Sequence, residues 1–352
     1  MRFEHGGLAR RLHDTTTNAA AWDVNAVLAL DAAQRGYYGH SGTFVTDRTS
    51  GEYQTAPNDL LPQTLPPTRC QHMLPAAATL SVVIPVYNER ATLLNVIRNV
   101  LGSGAHALVQ HLQIVVVDDG STDGTRDVVT RLMADWRQCI RDLPPQDTGD
   151  FRTSDDCAPL DLEAALSATE LCCVMHDQNR GKGAGLRSGF ARATGDYVLV
   201  QDADLEYDPR DYPKLLRPLL EGRADVVFGS RFLPSERRVL FFWHSVGNQL
   251  LTILSNAATD LNLSDMETGY KAFRADVLTR LHIESDRFGF EPEITAKVSA
   301  LGCRVYEVPI RYDGRGYDEG KKITWKDGVE ALWCIVKFGP LRKGFRTKVV
   351  AR

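Results

Sequence analysis

The chain has 352 residues, of which 43% are apolar and 24% charged, and its formal net charge is -4. This is globular composition, long enough for two domains or one large α/β domain with appendages, and the acidic balance speaks against a generally basic nucleic-acid binder. No run approaches the roughly 18 uninterrupted apolar residues of a spanning helix, and the start, Met1 to Gly6, leads into no apolar segment of a secretory signal. The seven cysteines include no Cys-x-x-Cys pair and read as reduced thiols of a cytoplasmic protein.

Residues 1–78 read as a poorly ordered extension. Asn18 to Arg35 carries Val24, Val27 and Leu28 on one face and stops at Gly36, which predicts a helix. Pro57, Pro62, Pro66 and Pro67 then read as an extended linker, with a boundary near Ala76.

From Leu80 the pattern becomes strand, turn, helix, repeated. Ser81 to Val86 is a β-branched run, followed by helical spacing from Arg90 to Leu101. Gln113 to Val117 is a second strand and Thr125 to Met133 a second helix. A segment with Pro144-Pro145 and Asp155-Asp156 reads as a surface insertion over 137–169, holding a short helix at Leu160 to Leu166. Leu171 to Met175, a helix from Gly185 to Ala193, Tyr197 to Val200 and Val226 to Phe228 follow. Continuous apolar strands alternating with amphipathic helices imply a parallel sheet covered on both faces, with the ligand site at the carboxyl ends of its strands.

Chemistry therefore belongs after each strand. Pro85-Val86-Tyr87-Asn88-Glu89 follows the first. Asp118-Asp119-Gly120-Ser121-Thr122-Asp123 follows the second, and its adjacent carboxylates exceed what a turn requires. Asp202-Ala203-Asp204 follows Tyr197 to Val200. Residues i and i+2 of a strand point to one side, and two carboxylates beside an apolar strand are costly unless a cation sits between them. Hard oxygen ligands suit Mg²⁺ or Mn²⁺ bridging to a substrate diphosphate. Asn179-Arg180-Gly181-Lys182-Gly183-Ala184-Gly185 precedes a helix. It is neither a Walker A loop nor G-x-G-x-x-G, and reads either as a flexible helix entry or as a place for Arg180 or Lys182 near a nucleotide.

Taken in order, these four segments resemble the inverting GT-A glycosyltransferases of family 2, and within them the polyprenyl-phosphate (dolichyl-phosphate) mannosyl- and glucosyltransferase branch. The likeness extends over about Leu80 to Phe338. It includes Gly229-Ser230-Arg231, Asp265-Met266-Glu267-Thr268-Gly269-Tyr270, Gly289-Phe290-Glu291-Pro292-Glu293 and Arg315-Gly316-Tyr317-Asp318-Glu319-Gly320-Lys321-Lys322.

The resemblance implies an α/β GT-A domain over 79–338, mostly parallel with helices on both faces, and a basic tail over 339–352. It implies a donor such as GDP-mannose or a UDP-hexose. Pro85, Tyr87, Glu89, Asp118 and Asp119 would hold its base and ribose, with Lys182 and Asp202 at the nucleotide. Asp202, Asp204 and Glu206 would hold Mg²⁺ or Mn²⁺. Arg231, Arg315, Lys321 and Lys322 would meet the departing diphosphate. On the acceptor side stand Asp265 or Glu267, with Glu291 and Glu293 as further acids that equally well cap a helix. The implied reaction transfers a hexose, with inversion, to a polyprenyl phosphate. A soluble alcohol, glycan or protein acceptor, and a nucleotide-sugar-binding module without transfer, are the alternatives.

Two apolar stretches bear on membranes. Val239-Leu240-Phe241-Phe242-Trp243 reads as a core helix start or as a surface that meets a lipid. Trp325, Val329, Leu332, Trp333 and Val336 repeat at helical spacing before Gly339-Pro340 and a tail with Arg342, Lys343, Arg346, Lys348 and Arg352. That pairing suits peripheral association with the cytoplasmic face of a membrane, or a core helix with a basic tail.

Overall fold

Strands alternate with helices through most of the computed structural model, which describes residues 44–46, 53–55, 78–144, 161–234, 242–314 and 325–339. The helix expected at Asn18 to Arg35, the proline-spaced linker, Arg315, Lys321, Lys322 and the basic tail beyond Gly339 lie outside these residues. The chain divides into two units, Met1–Cys70 and Gln71–Arg352. In the first, β1 (Phe44–Thr46) pairs antiparallel with β2 (Tyr53–Thr55).

The second unit holds β3 (Thr79–Val86), α1 (Leu93–Leu101), β4 (His111–Asp118), α2 (Thr125–Arg141), α3 (Leu162–Ser167), β5 (Thr169–Met175), α4 (Lys182–Phe190) and β6 (Tyr197–Val200). It continues with α5 (Tyr212–Leu220), β7 (Val226–Ser230), α6 (Phe242–Thr259), β8 (Lys271–Arg274), α7 (Ala275–Thr279), α8 (Phe290–Ala300), β9 (Val305–Pro309) and α9 (Trp325–Phe338). Seven strands form one sheet in the order β5-β4-β3-β6-β8-β7-β9. All adjacent pairs are parallel except those of β8, which runs antiparallel to both β6 and β7.

Every strand expected from the apolar runs is present. Leu80, Val82 and Ile84 of β3 point to one face and pack with Ile114, Val116, Leu93 and Ile97. Val83, Val115 and Val117 point to the other and pack with Leu186, Phe273 and Phe290. Period two with apolar residues on both faces is what a sheet covered on both sides needs.

Three expectations need correction. The helix expected to stop at Met133 continues to Arg141, through a non-helical Asp135 (φ -157°, ψ 85°). Beyond that kink Trp136 and Ile140, one turn apart, re-enter the core, so residues 137–141 are helix and not part of a surface insertion. Second, α4 begins at Lys182, three residues earlier than the spacing predicted. Third, β8 and β9 have no long apolar run and were not expected. Reversed β8 brings the residues before it, not after it, to the edge where the parallel strands end.

Candidate active site

The parallel strands β3, β4, β5 and β6 deliver their last residues to one edge of the sheet, and β8 delivers its first. At the end of β3, Tyr87 is 38% exposed and Asn88 adopts φ 56°. This turn is tied to the turn after β4. Asn88 N–H donates to Ser121 Oγ (3.0 Å), Asn88 Oδ1 accepts from Thr122 N–H (2.8 Å), and Glu89 N–H donates to Thr125 Oγ1 (3.0 Å). Ser121 and Thr122 therefore serve the turns, as their types suggest.

Both acids after β4 are engaged by the protein. Asp118 is buried, accepts Ser121 N–H at 3.2 Å and lies 3.6 Å from the Arg126 guanidinium. Asp119 accepts the backbone N–H groups of Arg180 (2.9 Å) and Gly181 (2.7 Å) and meets His176 Nδ1 at 2.7 Å. The Asp119 carboxylate, expected at a nucleotide base, is thus also tied to the glycine-rich loop.

That loop ends at Lys182, the first residue of α4, whose ammonium lies 2.9 Å from Asp202 and 3.1 Å from Glu291. Burial pulls the Lys182 pKa down, but the charges of Asp202 and Glu291 outweigh it and hold it well above its ordinary value. Arg180 is exposed.

At the end of β6 the chain is braced by tyrosines. Gln201 Oε1 accepts the hydroxyls of Tyr212 and Tyr270, each at 2.7 Å. Tyr207 stacks on Tyr270, with ring centroids 4.7 Å apart, and its hydroxyl accepts Gly269 N–H at 2.8 Å. Gly269 then lies against Asp202: a Cβ there would stand 2.2 Å from Asp202 Oδ2. Asp204 Oδ1 accepts Glu206 N–H at 3.2 Å. The Glu206 carboxylate, expected to complete a metal shell, accepts the Tyr312 hydroxyl at 2.7 Å. Among the described residues no group of three His, Cys, Asp or Glu side chains is disposed to hold a metal.

The segment before β8 carries Asp265 and Glu267, the acids expected on the acceptor side. Asp265 is buried and takes Arg231 as a two-pronged ion pair, Nε and Nη2 each at 2.7 Å, with Asn248 Nδ2–H donating to it at 3.2 Å. Burial pushes its carboxyl up, but the guanidinium outweighs burial and holds it below the ordinary value. The Ser264 and Asp265 N–H groups donate to Glu307 of β9 at 2.9 and 3.0 Å. Glu267 differs: burial first, then the neighbouring Glu291 charge, pushes its carboxyl up to about 8. Glu293 accepts the N–H groups of Glu284 and Ser285, each at 2.7 Å, and pairs with Lys297. Lys271, fully buried at the start of β8, donates to the carbonyls of Met266 and Thr268.

The structure thus brings Lys182, Asp202 and Glu291 into direct contact, and likewise Arg231 with Asp265. Sequence reading omitted His176, Asn248, Lys271 and Glu307. His176 directly follows β5, so the strand-end rule applied there would have found it.

A mixed sheet of this order, with its acids gathered at one edge, is a GT-A-like α/β fold. A solved glucosyl-3-phosphoglycerate synthase from Mycobacterium tuberculosis, in complex with Mn²⁺, UDP and phosphoglyceric acid, shares it. The match has a TM-score of 0.50 at 21% identity, over 75% of this chain and 79% of that one. The sequence profile described as Glycosyl transferase family 2 matches residues 81–146 and 154–281. The chain belongs to that family.

Among its relatives is the undecaprenyl-phosphate mannosyltransferase of Micrococcus luteus, 30% identical over 73% of this chain and 92% of the relative. The polyprenol monophosphomannose synthase of Mycolicibacterium smegmatis is 28% identical over 77% and 91%. The undecaprenyl-phosphate 4-deoxy-4-formamido-L-arabinose transferase of Aeromonas hydrophila is 27% identical over 68% of this chain. The chain spans 62% of that protein's length, and 53% of a hexosyltransferase of low-salt glycan biosynthesis from Haloferax volcanii.

Proposed function

We propose that this chain transfers a hexose, with inversion, from a nucleoside diphosphate sugar to a polyprenyl phosphate. The observation that carries the acceptor class is the state of the four acids expected on the acceptor side. Asp265 is locked to Arg231, Glu293 to Lys297 and two backbone amides, and Glu291 to Lys182. Burial and the charge of Glu291 push Glu267 toward its protonated form. An alcohol acceptor needs a base to take its proton. A phosphate brings an oxygen that is already anionic. The relatives named above for undecaprenyl phosphate and polyprenol support the same class.

In the reaction the acceptor oxygen forms a bond to the anomeric carbon. The bond from that carbon to the diphosphate oxygen breaks, and the electron pair leaves with the nucleoside diphosphate. Lys182 and Arg231 supply fixed positive charge near the developing anion. Asp202 and Asp204 are the residues that would hold Mg²⁺ or Mn²⁺. Two carboxylates suit an ion that takes its remaining ligands from water and substrate phosphate. When bound, the ion neutralises diphosphate charge.

We also infer a resting place on a membrane. No described helix is long and apolar enough to cross one. Yet Phe242 and Trp243, expected either as a core start or as a lipid-facing surface, are 69% and 78% exposed at the head of α6, and Val246, Leu250 and Ile253 continue that face. Val329, Leu332, Trp333 and Val336 lie exposed on α9, whose other side buries Ala331, Cys334, Ile335 and Phe338. Two neighbouring helices with outward apolar stripes suit an interfacial location.

The test is transfer of labelled sugar, with Mg²⁺, to undecaprenyl phosphate and to the matching polyprenol. Transfer to the phosphate alone is expected. Comparable transfer to the alcohol would overturn the acceptor class, and nucleotide binding without any transfer would leave a binding module.

A further inference from the structure

Three side chains at the catalytic edge take no part in the reaction just described, yet they form one chain. Ser188 of α4 lies 2.8 Å from His176 Nε2, and His176 Nδ1 lies 2.7 Å from Asp119 Oδ1. His176 and Asp119 are buried. Asp119 receives two backbone amides besides. A carboxylate with three such neighbours accepts only, so His176 carries a proton on Nδ1 and donates it to Asp119, while Nε2 faces the Ser188 hydroxyl. In hydrolases the same order of groups activates a serine. Here the acid is committed instead to the amides of Arg180 and Gly181.

The surroundings leave this chain little slack. His176 N–H donates to the Asp118 carbonyl (2.8 Å), and its own carbonyl accepts from Arg126 Nη1 (2.8 Å). Gly181 adopts φ +98°, and a Cβ there would stand 2.3 Å from the Asp286 carbonyl oxygen, so the loop has one path past this point. The next residue is Lys182, which reaches Asp202 and Glu291.

We propose that His176 is a positioning residue: through Asp119 and Gly181 it sets Lys182 at the donor's diphosphate, so the Ser188–His176–Asp119 chain governs binding of the diphosphate. This rests on the nucleotide-sugar reading. Without the imidazole, Asp119 Oδ1 loses a donor, its carboxylate can rotate, and the amides it holds are freed.

Calorimetric titration of the full chain with UDP, GDP, dTDP and inorganic pyrophosphate, each with Mg²⁺, tests this. His176→Ala and His176→Gln are expected to weaken pyrophosphate and every nucleoside diphosphate that the wild type binds, roughly tenfold. His176→Asn, whose amide N–H stands near the place of Nδ1, is expected to restore most of that loss. Should His176→Ala fail to fold, the contrast between the Asn and Gln variants decides, with thermal unfolding confirming that both are native. Equal affinities in every variant would overturn the proposal, as would an unaffected pyrophosphate. If the wild type binds no nucleoside diphosphate at all, the donor reading itself falls, and this proposal with it.

Discussion

Two regions of the second unit break the usual rule of burial in opposite directions. At the catalytic edge, charged groups lie inside: Asp118, Asp119, Asp265, Lys271 and Glu291 are buried. On α6 and α9, large apolar side chains lie outside, and α6 carries no charged residue over its 18 positions. Neither arrangement helps a chain fold, since buried charge is costly unless paired and an exposed apolar stripe gains nothing from water. The difference lies in how each is tolerated. The charges are answered within the protein by specific partners, whereas the apolar stripes have no such answer among the described residues.

Four experiments sharpen or break that contrast. The largest effect is expected from Asp202→Ala, which removes the carboxylate that Lys182 and a divalent ion would share. Transfer should fall by about 10²–10³-fold, read as the initial rate of lipid-linked sugar formation. Next comes Asp265→Ala, which removes the carboxylate that balances the Arg231 guanidinium, itself 17% exposed. Loss of one member of a buried pair costs about 3–5 kcal/mol, read from denaturant unfolding.

Trp243→Ser with Trp333→Ser belongs to the other region. Binding to vesicles containing anionic lipid should drop while the unfolding midpoint holds, and unchanged vesicle binding would remove the apolar face from the account. The smallest effect concerns pH. Glu267 holds its proton up to about 8 in the fold but releases it near 4.5 when unfolded. Between those values the folded chain binds more protons, so its stability falls as pH rises from about 5 to 8. Glu267→Gln should lack that part of the decline, seen as a narrowing gap in unfolding midpoint between variant and wild type, or a reversal of it.

The sheet was legible wherever a strand is buried on both faces, because Val82 to Ile84, Ile114 to Val117 and Val198 to Val200 announce themselves as continuous apolar runs. β8 was not: it is four residues long, with lysine first and arginine last, and only tertiary packing makes it a strand. The ends of the parallel strands were legible for the same reason as the strands. The residues before β8 escaped the strand-end rule, because a reversed strand presents its beginning at that edge. Resemblance alone drew attention to Asp265 and Glu267. The tie of Asp119 to the glycine-rich loop was not legible, because an acid at a strand end looks the same whether it faces a ligand or a neighbouring loop. Partner amides 61 and 62 positions away leave no mark in local sequence.

The reversal of β8 has a topological consequence. β7 ends at the edge where the parallel strands end and β8 begins there, so everything between them, α6 included, is a single excursion from one edge of the sheet. Arg231 and Asp265, 34 positions apart, close its base like a drawstring, and Asn248 of α6 is tied into the same knot. The excursion can therefore lengthen, shorten or change its outer surface without disturbing the register of any strand.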